Sequence, residues 1–294
     1  MRAVIVLFVG LVFSQVVLAA PATVEAVEFP AWIEHMGVKN PLQSGQTLAA
    51  GDRITTGPGA RVYLQMPEGS RVKLGENATF VVDQLNAEDG KQGVFRAALN
   101  LVKGAFRFTT DAVAKTNRRN VDIRVSTVTA GIRGTDLWGK AADDKDLVCL
   151  LEGKIAVHAD GQPEQSMDQP LTFYVAPKGA APLPVASVDV AQLKQWAAQT
   201  DLVATKGESR AHGAWRIVLA QVPQQTEALA WYDRLRAAGY PVRIRTYGVG
   251  KHRHYRVVLM GFVSRDDAQS VAQTLHDAFA TPLSSVESGR VERS

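Results

Sequence analysis

Tyr255-Arg256-Val257-Val258-Leu259-Met260-Gly261-Phe262-Val263-Ser264-Arg265-Asp266-Asp267-Ala268 changes periodicity part way along. Tyr255, Val257 and Leu259 alternate with Arg256 and Val258, the two-residue period of a strand with one covered face. Ser264 then stands where a helix cap belongs. Asp266 and Asp267 in the following turn suit the positive end of a helix dipole, and Ala268, Val271, Ala272, Leu275 and Phe279 continue at helical spacing. A strand leading straight into a capped amphipathic helix implies an α+β unit.

The flanking sequence completes that unit. Residues 215–222 read as a strand, and 226–238 as a helix with Ala228, Leu229, Trp231, Tyr232, Leu235 and Ala238 on one stripe, stopped by Gly239. Residues 242–247 and 254–260 are strands, and 282–287 supply a last one. The order β-α-β-β-α-β is a split βαβ arrangement, which gives a four-stranded antiparallel sheet with both helices on one side and the other face open.

Alternation places Arg243, Arg245 and Tyr247 on the open face beside His254, Arg256 and Val258. In the first strand it exposes Arg216, Val218 and Ala220, and Gln221 faces outward only if a bulge intervenes. Residues 213–280 hold nine basic side chains against five acidic ones, a surplus equal to the net charge of +4 for the whole chain. Arginine dominates, so an anionic ligand taken by paired hydrogen bonds is expected.

The preceding half reads differently. From Leu42 to Pro177 short alternating stretches are separated by Gly-rich turns, with no convincing helix. Residues 61–66, the turn Pro67-Glu68-Gly69-Ser70 and residues 71–74 form a hairpin in which Val62, Leu64, Met66, Val72 and Leu74 share a face. Similar stretches at 79–82, 105–109, 121–125, 147–151 and 154–157 imply an all-β domain: a sandwich, a jelly roll or a short β-solenoid. Residues 178–212 shift to Ala, Pro and polar residues and are expected to form a linker. Within it Asp189 caps a short helix whose Leu193, Trp196 and Ala197 pack on the β domain.

The N-terminus has Arg2, an apolar run from Ala3 and the small-residue motif Ala20-Pro21-Ala22, the pattern of a secretory signal peptide cut before Thr23. An uncleaved membrane anchor is the competing reading, because the apolar run approaches the roughly 20 residues that span a bilayer. With cleavage no stable span remains. The expected divisions are 1–22, 23–177, 178–212 and 213–294. The single cysteine, Cys149, lies in an apolar strand and reads as a buried structural thiol.

Two family resemblances follow from these motifs. Trp215, the helix ending at Gly239, Tyr255-Arg256-Val257 and Gly261-Phe262-Val263-Ser264-Arg265-Asp266-Asp267-Ala268 resemble the SPOR family. That resemblance implies binding to peptidoglycan glycan strands stripped of stem peptides, often at division septa, through the open sheet face. By position it gives contact roles to Arg256, His254 and Gln221, with Arg216, Arg243, Arg245 and Tyr247 completing the face. The chain departs from the family pattern at Val218, at Ala220-Gln221-Val222 and at Met260-Gly261, so charge is expected to carry more of the recognition.

Gly51-Asp52-Arg53-Ile54-Thr55-Thr56-Gly57, the Glu68-Gly69-Ser70 turn, Gly131-Ile132-Arg133-Gly134-Thr135-Asp136 and Glu152-Gly153 resemble a FecR-type domain. That resemblance implies an exported signalling or scaffolding domain without chemistry. Arg133 is expected to pair with Asp136 or Asp122 inside it.

Other classes find less support. An RNA-recognition domain shares the β-α-β-β-α-β order, but its aromatic RNP1 string is absent and the export signal points away from RNA. A glycan hydrolase needs two separated carboxylates, whereas Asp266 and Asp267 suit a helix start and Glu152 a turn. His252 and His254 lie two apart on a basic stretch, a weak metal signal. The expectation is a non-catalytic periplasmic protein, septal by the SPOR resemblance, with no cofactor, metal or nucleic acid. Its partners are glycan strands and an unidentified envelope protein met by the FecR-like domain. The alternative is a FecR-type signalling protein held by an uncleaved N-terminal helix.

Overall fold

A computed structural model describes residues 21–86, 95–110, 119–132, 134–248, 253–282 and 285–288. The apolar run of the signal segment, Arg133 and His252 lie outside the described residues.

The first domain is two sheets around one core. One sheet runs β3 (Val38–Pro41), β2 (Ala31–His35), β4 (Arg53–Thr56), β7 (Thr79–Asn86), β8 (Phe95–Thr109), β9 (Arg119–Val125), β10 (Val128–Ile132), β13 (Ile155–Ala159) and β14 (Gln165–Met167). The other runs β16 (Ala186–Ser187), β15 (Thr172–Pro177), β12 (Lys145–Glu152), β11 (Asp136–Ala141), β8, β6 (Arg71–Leu74), β5 (Arg61–Gln65) and β1 (Thr23–Glu28). β8 serves both sheets: its first part pairs with β7 and β9, its second with β6 and β11. Gly104 lies at the passage between them with φ +93°, and a Cβ there would meet Ala78 at 2.6 Å, so only glycine fits.

Of the three architectures the sequence leaves open, this is the sandwich form. Apart from β8 with β9, the strand pairs above are antiparallel, whereas a solenoid stacks parallel strands. Val62, Leu64, Met66, Val72 and Leu74 of the expected hairpin are all buried on one core with Phe80, Phe106 and Phe108. Side chains of this size each contribute about 1.5–3 kcal/mol on burial.

Residues 178–212 are more than a linker. Asp189 caps α1 (Val190–Ala198) by accepting the Gln192 N–H at 2.8 Å. Trp196 stacks flat on Trp138 with centroids 5.0 Å apart, and Phe173 meets it edge-on. Of the expected stripe, Trp196 docks on the β domain as expected. Beyond α1, Asp201 holds Lys73 at 2.6 Å, and the Leu202 N–H donates to the Tyr63 hydroxyl at 2.9 Å. β17 (Ser209–Arg210) then pairs with β1 on one side and touches β20 (His254–Phe262) on the other. The segment is a pinned strap that joins the second sheet of the first domain to the sheet of the second.

The second domain follows the expected order: β18 (Trp215–Val222), α2 (Gln225–Ala237), β19 (Arg243–Tyr247), β20, α3 (Arg265–Phe279) and β21 (Ser285–Ser288). Its sheet runs β19-β20-β18-β21, antiparallel throughout. Ile217, Leu219, Val242, Val257 and Leu259 pack under Ala228, Leu235, Ala268, Val271 and Leu275 of the helices. The Ser264 side chain caps α3 by accepting the Asp267 N–H at 3.1 Å. Asp267 does more than complement a dipole: buried, it accepts the Gly207 and Glu208 N–H groups at 3.0 and 3.2 Å, tying the strap to α3.

The domains meet closely. Phe29 packs on the cores of both, in ring contact with Tyr240 and Phe262. Gly239, read from sequence as a helix stop, has φ +89° and lies under Trp32, whose ring a Cβ would meet at 2.8 Å. Trp32 Nε1 donates to the Ala237 carbonyl at 3.2 Å, and the Ala31 N–H to the Gly239 carbonyl at 3.3 Å. Ala22, placed by sequence on the discarded side of a cut before Thr23, is 1% exposed and its carbonyl accepts the Leu48 N–H at 2.9 Å. It belongs to the folded domain.

Candidate functional site

The site is built on the open face of the second sheet, and one irregularity in β18 sets its composition. Against β20, Val218 pairs with Val258 but Ala220 pairs with Val257, so the register shifts between them. This bulge sends Leu219 and Ala220 together into the helix-covered core. Ala220, expected on the open face, is 0% exposed. Gln221 instead reaches the outer face, as it does only with a bulge, and its Oε1 accepts Arg256 Nε at 2.7 Å.

Arg256 is held from three directions. Besides Gln221, its guanidinium lies over the Tyr247 ring, 4.2 Å from the centroid, and Glu287 Oε1 is 3.8 Å from its Nη1. Arg216 sends Nε and Nη2 to Glu287 Oε2 at 3.0 and 2.8 Å. Stacking on an aromatic face and pairing with a carboxylate both fix a guanidinium plane before any ligand arrives. Arg245 lies opposite Arg256 in the register; it is exposed and has no hydrogen bond or ion pair among the described residues. Arg243 Nη2 donates to Gln43 Oε1, across the domain boundary, at 2.9 Å.

These groups surround a cleft of about 870 Å³. Val218, Val258 and Met260 form its apolar floor, with Arg216, Arg243, Arg245, Arg256 and Tyr247 around it. Tyr247 is 53% exposed, so its ring offers a flat surface. All seven residues expected in the site lie on the open face, five of them in the cleft lining and Gln221 bonded to Arg256. His254 pairs with Tyr247 in the register but lies outside the lining.

Glu287 is the residue the sequence reading missed. It was read as the end of a last strand, and only the pairing of β21 with β18 sets it beside Arg216. The signal was an acidic residue in a strand of unknown register next to an arginine-rich face. Gln43, Ser44 and Phe29 were missed too, because they come from the first domain.

Chemically, the cleft can take a carboxylate by forked hydrogen bonds and seat a sugar ring on Tyr247. Val218 and Val258, expected to be exposed on this face, are 0% and 3% exposed, and only the half-buried Met260 of the floor is accessible. Glu287 is the sole carboxylate among its described lining residues, and it is paired with arginine. No three His, Cys, Asp or Glu side chains among the described residues are grouped to hold a metal ion. Cys149 is buried, and burial pushes its thiol up to about 12. Asp136 accepts Arg107 Nε and Nη2 at 3.0 and 2.6 Å; the pairing expected of Arg133 falls outside the described residues.

Two family models match the sequence: FecR protein over residues 52–156, and SPOR domain over residues 211–283. The chain therefore carries a FecR domain followed by a C-terminal SPOR domain, and neither family is catalytic. SPOR domains are peptidoglycan-binding and FecR-like domains belong to envelope signalling. None of the curated proteins matches the chain. Two crystal structures of a candidate anti-sigma factor from Parabacteroides distasonis are similar at 13% identity, covering 78% of this chain and 92% and 91% of theirs. Their TM-scores, 0.38 and 0.39, are too low to carry an argument. No helix among the described residues is long and apolar enough to cross a membrane.

Proposed function

We propose that this chain, a FecR domain joined to a SPOR domain, is a non-catalytic periplasmic adaptor that holds glycan strands stripped of stem peptides against its arginine face. The observation that carries the reading is the set of five arginines around one cleft: Arg210 is paired with Glu25 and Glu208, Arg216 and Arg256 are oriented in advance by Glu287, and Arg256 also by Tyr247. A stripped glycan offers hydroxyls, acetamido groups and the carboxylates of muramic acid. The arginine forks suit the carboxylates, and the exposed Tyr247 ring suits a sugar ring. Binding needs no covalent step. The FecR domain serves as the surface for a second envelope protein, which places the complex where stripped glycan accumulates, such as a division septum.

The test is retention of the purified full-length protein on sacculi, with and without amidase removal of stem peptides. Retention should rise on stripped sacculi. Arg243→Ala/Arg245→Ala/Arg256→Ala should lose at least tenfold in affinity, since each charge-assisted hydrogen bond contributes about 1.5–3 kcal/mol. Equal retention of that variant and the wild type rules out this face, and no retention of the wild type rules out glycan binding.

A further inference from the structure

The arginine face is not open on all sides. Residues 41–45 of the first domain run along it: Gln43 accepts a hydrogen bond from Arg243 at 2.9 Å, and Ser44 Oγ lies 3.4 Å from Ser209 Oγ on the strap. Three glycines permit this close approach. A Cβ at Gly45 would meet Ala211 at 2.9 Å, one at Gly213 would strike the Gly261 carbonyl at 1.9 Å, and one at Gly261 would meet Ser209 Oγ at 2.9 Å. Backbone packed this tightly makes a fixed wall rather than a loop that happens to be near.

Beyond the Gln43–Arg243 bond the depression continues. A second cleft of about 550 Å³ shares Gln43, Ser44 and Arg243 with the first and is bounded by Asn40, Gln46 and Arg236. Arg236 Nη2 donates to Asn40 Oδ1 at 3.1 Å, a second polar bridge between the domains. The chemistry changes across the divide. The first cleft is lined by five arginines, whereas the second has two, Arg236 and Arg243, beside the side-chain amides of Asn40, Gln43 and Gln46, which suit uncharged hydroxyl and acetamido groups.

We infer that the glycan groove is a two-domain site: Gln43 and Ser44 form its second wall, and a longer strand passes over Gln43 into a subsite bounded by Asn40, Gln46 and Arg236. The inference rests on the glycan reading above and assigns the first domain a direct share in recognition. Its signature is a dependence on ligand length. Short fragments are satisfied by the arginine cleft, and longer ones gain from the amides.

The experiment is calorimetric titration of the full-length protein with amidase-stripped glycan oligosaccharides in a length series. Asn40→Ala/Gln46→Ala, at residues that line only the second cleft, should bind the shortest binding fragment as the wild type does and lose roughly tenfold on the longest, two neutral hydrogen bonds being at stake. Arg243→Ala/Arg245→Ala/Arg256→Ala should weaken at every length. If the Asn40→Ala/Gln46→Ala variant binds long fragments like the wild type, the two-domain groove is overturned while glycan binding stands. If the wild type binds no length, the underlying reading fails with it. As a second measurement, Ser44→Cys/Ser209→Cys oxidised to a disulfide locks the wall in place. Retained binding of the long fragments is expected, and loss on oxidation with recovery on reduction overturns the inference, because the groove would then have to open.

Discussion

Glu287 sets the working charge of the arginine face. Counting residues along the second domain suggests a strongly basic platform, but two of the cleft's five arginines share this one carboxylate. The pair is about one-third exposed on each side, so its Coulomb gain is screened and the arginines remain available to a ligand carboxylate. On the proposed reading, Glu287 holds Arg216 and Arg256 in place and competes with an incoming anion for them. Glu287→Gln retains an amide oxygen for the guanidinium groups but removes the competing charge. Affinity for stripped glycan should rise about two- to fivefold at low salt, the scale of an exposed ion pair. The gain should fade as salt is raised, and titrations across a salt series read both. Weaker binding at low salt would show that Glu287 is needed as an orienting partner more than it competes.

At the scale of elements, legibility followed the source of each signal. α3 and its Ser264 cap, α2 and the strands around them were readable because each carries its own period and punctuation. β17 was not: two residues long, it is defined by pairing with β1 and touching β20, and nothing in Ser209-Arg210 announces either partner. The β18 bulge was half legible. Gln221 signalled it, but Leu219 and Ala220 are both acceptable in a core, so alternation alone put Ala220 on the wrong face.

The union of β1 with the strap makes a further prediction. Glu28, at the end of β1, is 2% exposed and accepts the Val203 N–H at 2.8 Å. Burial pushes its carboxyl up to about 7, opposed by that N–H and by Arg61. A carboxyl raised on folding binds its proton more tightly in the native state. Its contribution to stability is therefore complete below the ordinary value of 4.5 and lost as pH rises through about 7. Thermal unfolding across this range should show a falling midpoint, and Glu28→Gln should flatten the fall. An unchanged slope in the variant assigns the pH dependence elsewhere.

At the scale of the whole molecule, the question is whether two family domains make one unfolding unit. Interfaces between domains of one chain are often polar and loose, and then each domain melts alone. Here the second sheet of the first domain reaches the other domain through β17, Trp32 packs on Gly239, and Phe29 belongs to the edge of both hydrophobic cores. The strap is pinned at both ends, by Lys73 and Tyr63 to the first domain and by Asp267 to the second. Separating the domains therefore requires breaking sheet, core and strap together, and a single calorimetric transition is expected. Phe29→Ala removes the aromatic ring that touches Tyr240 and Phe262 while leaving most of each core in place. Phe to Ala costs about 3–5 kcal/mol at a fully buried site, and Phe29 is only partly buried, so a loss of roughly 2 kcal/mol is expected. Because the loss falls on the junction, the transition should split in two, with the second domain's core melting apart from the sandwich. A variant that melts in one lowered transition would show that the β1–β17 pairing alone couples the domains. In the split case, affinity for long glycan should fall more than for short, since the arginine cleft survives in one domain while its wall is held in place only by the other.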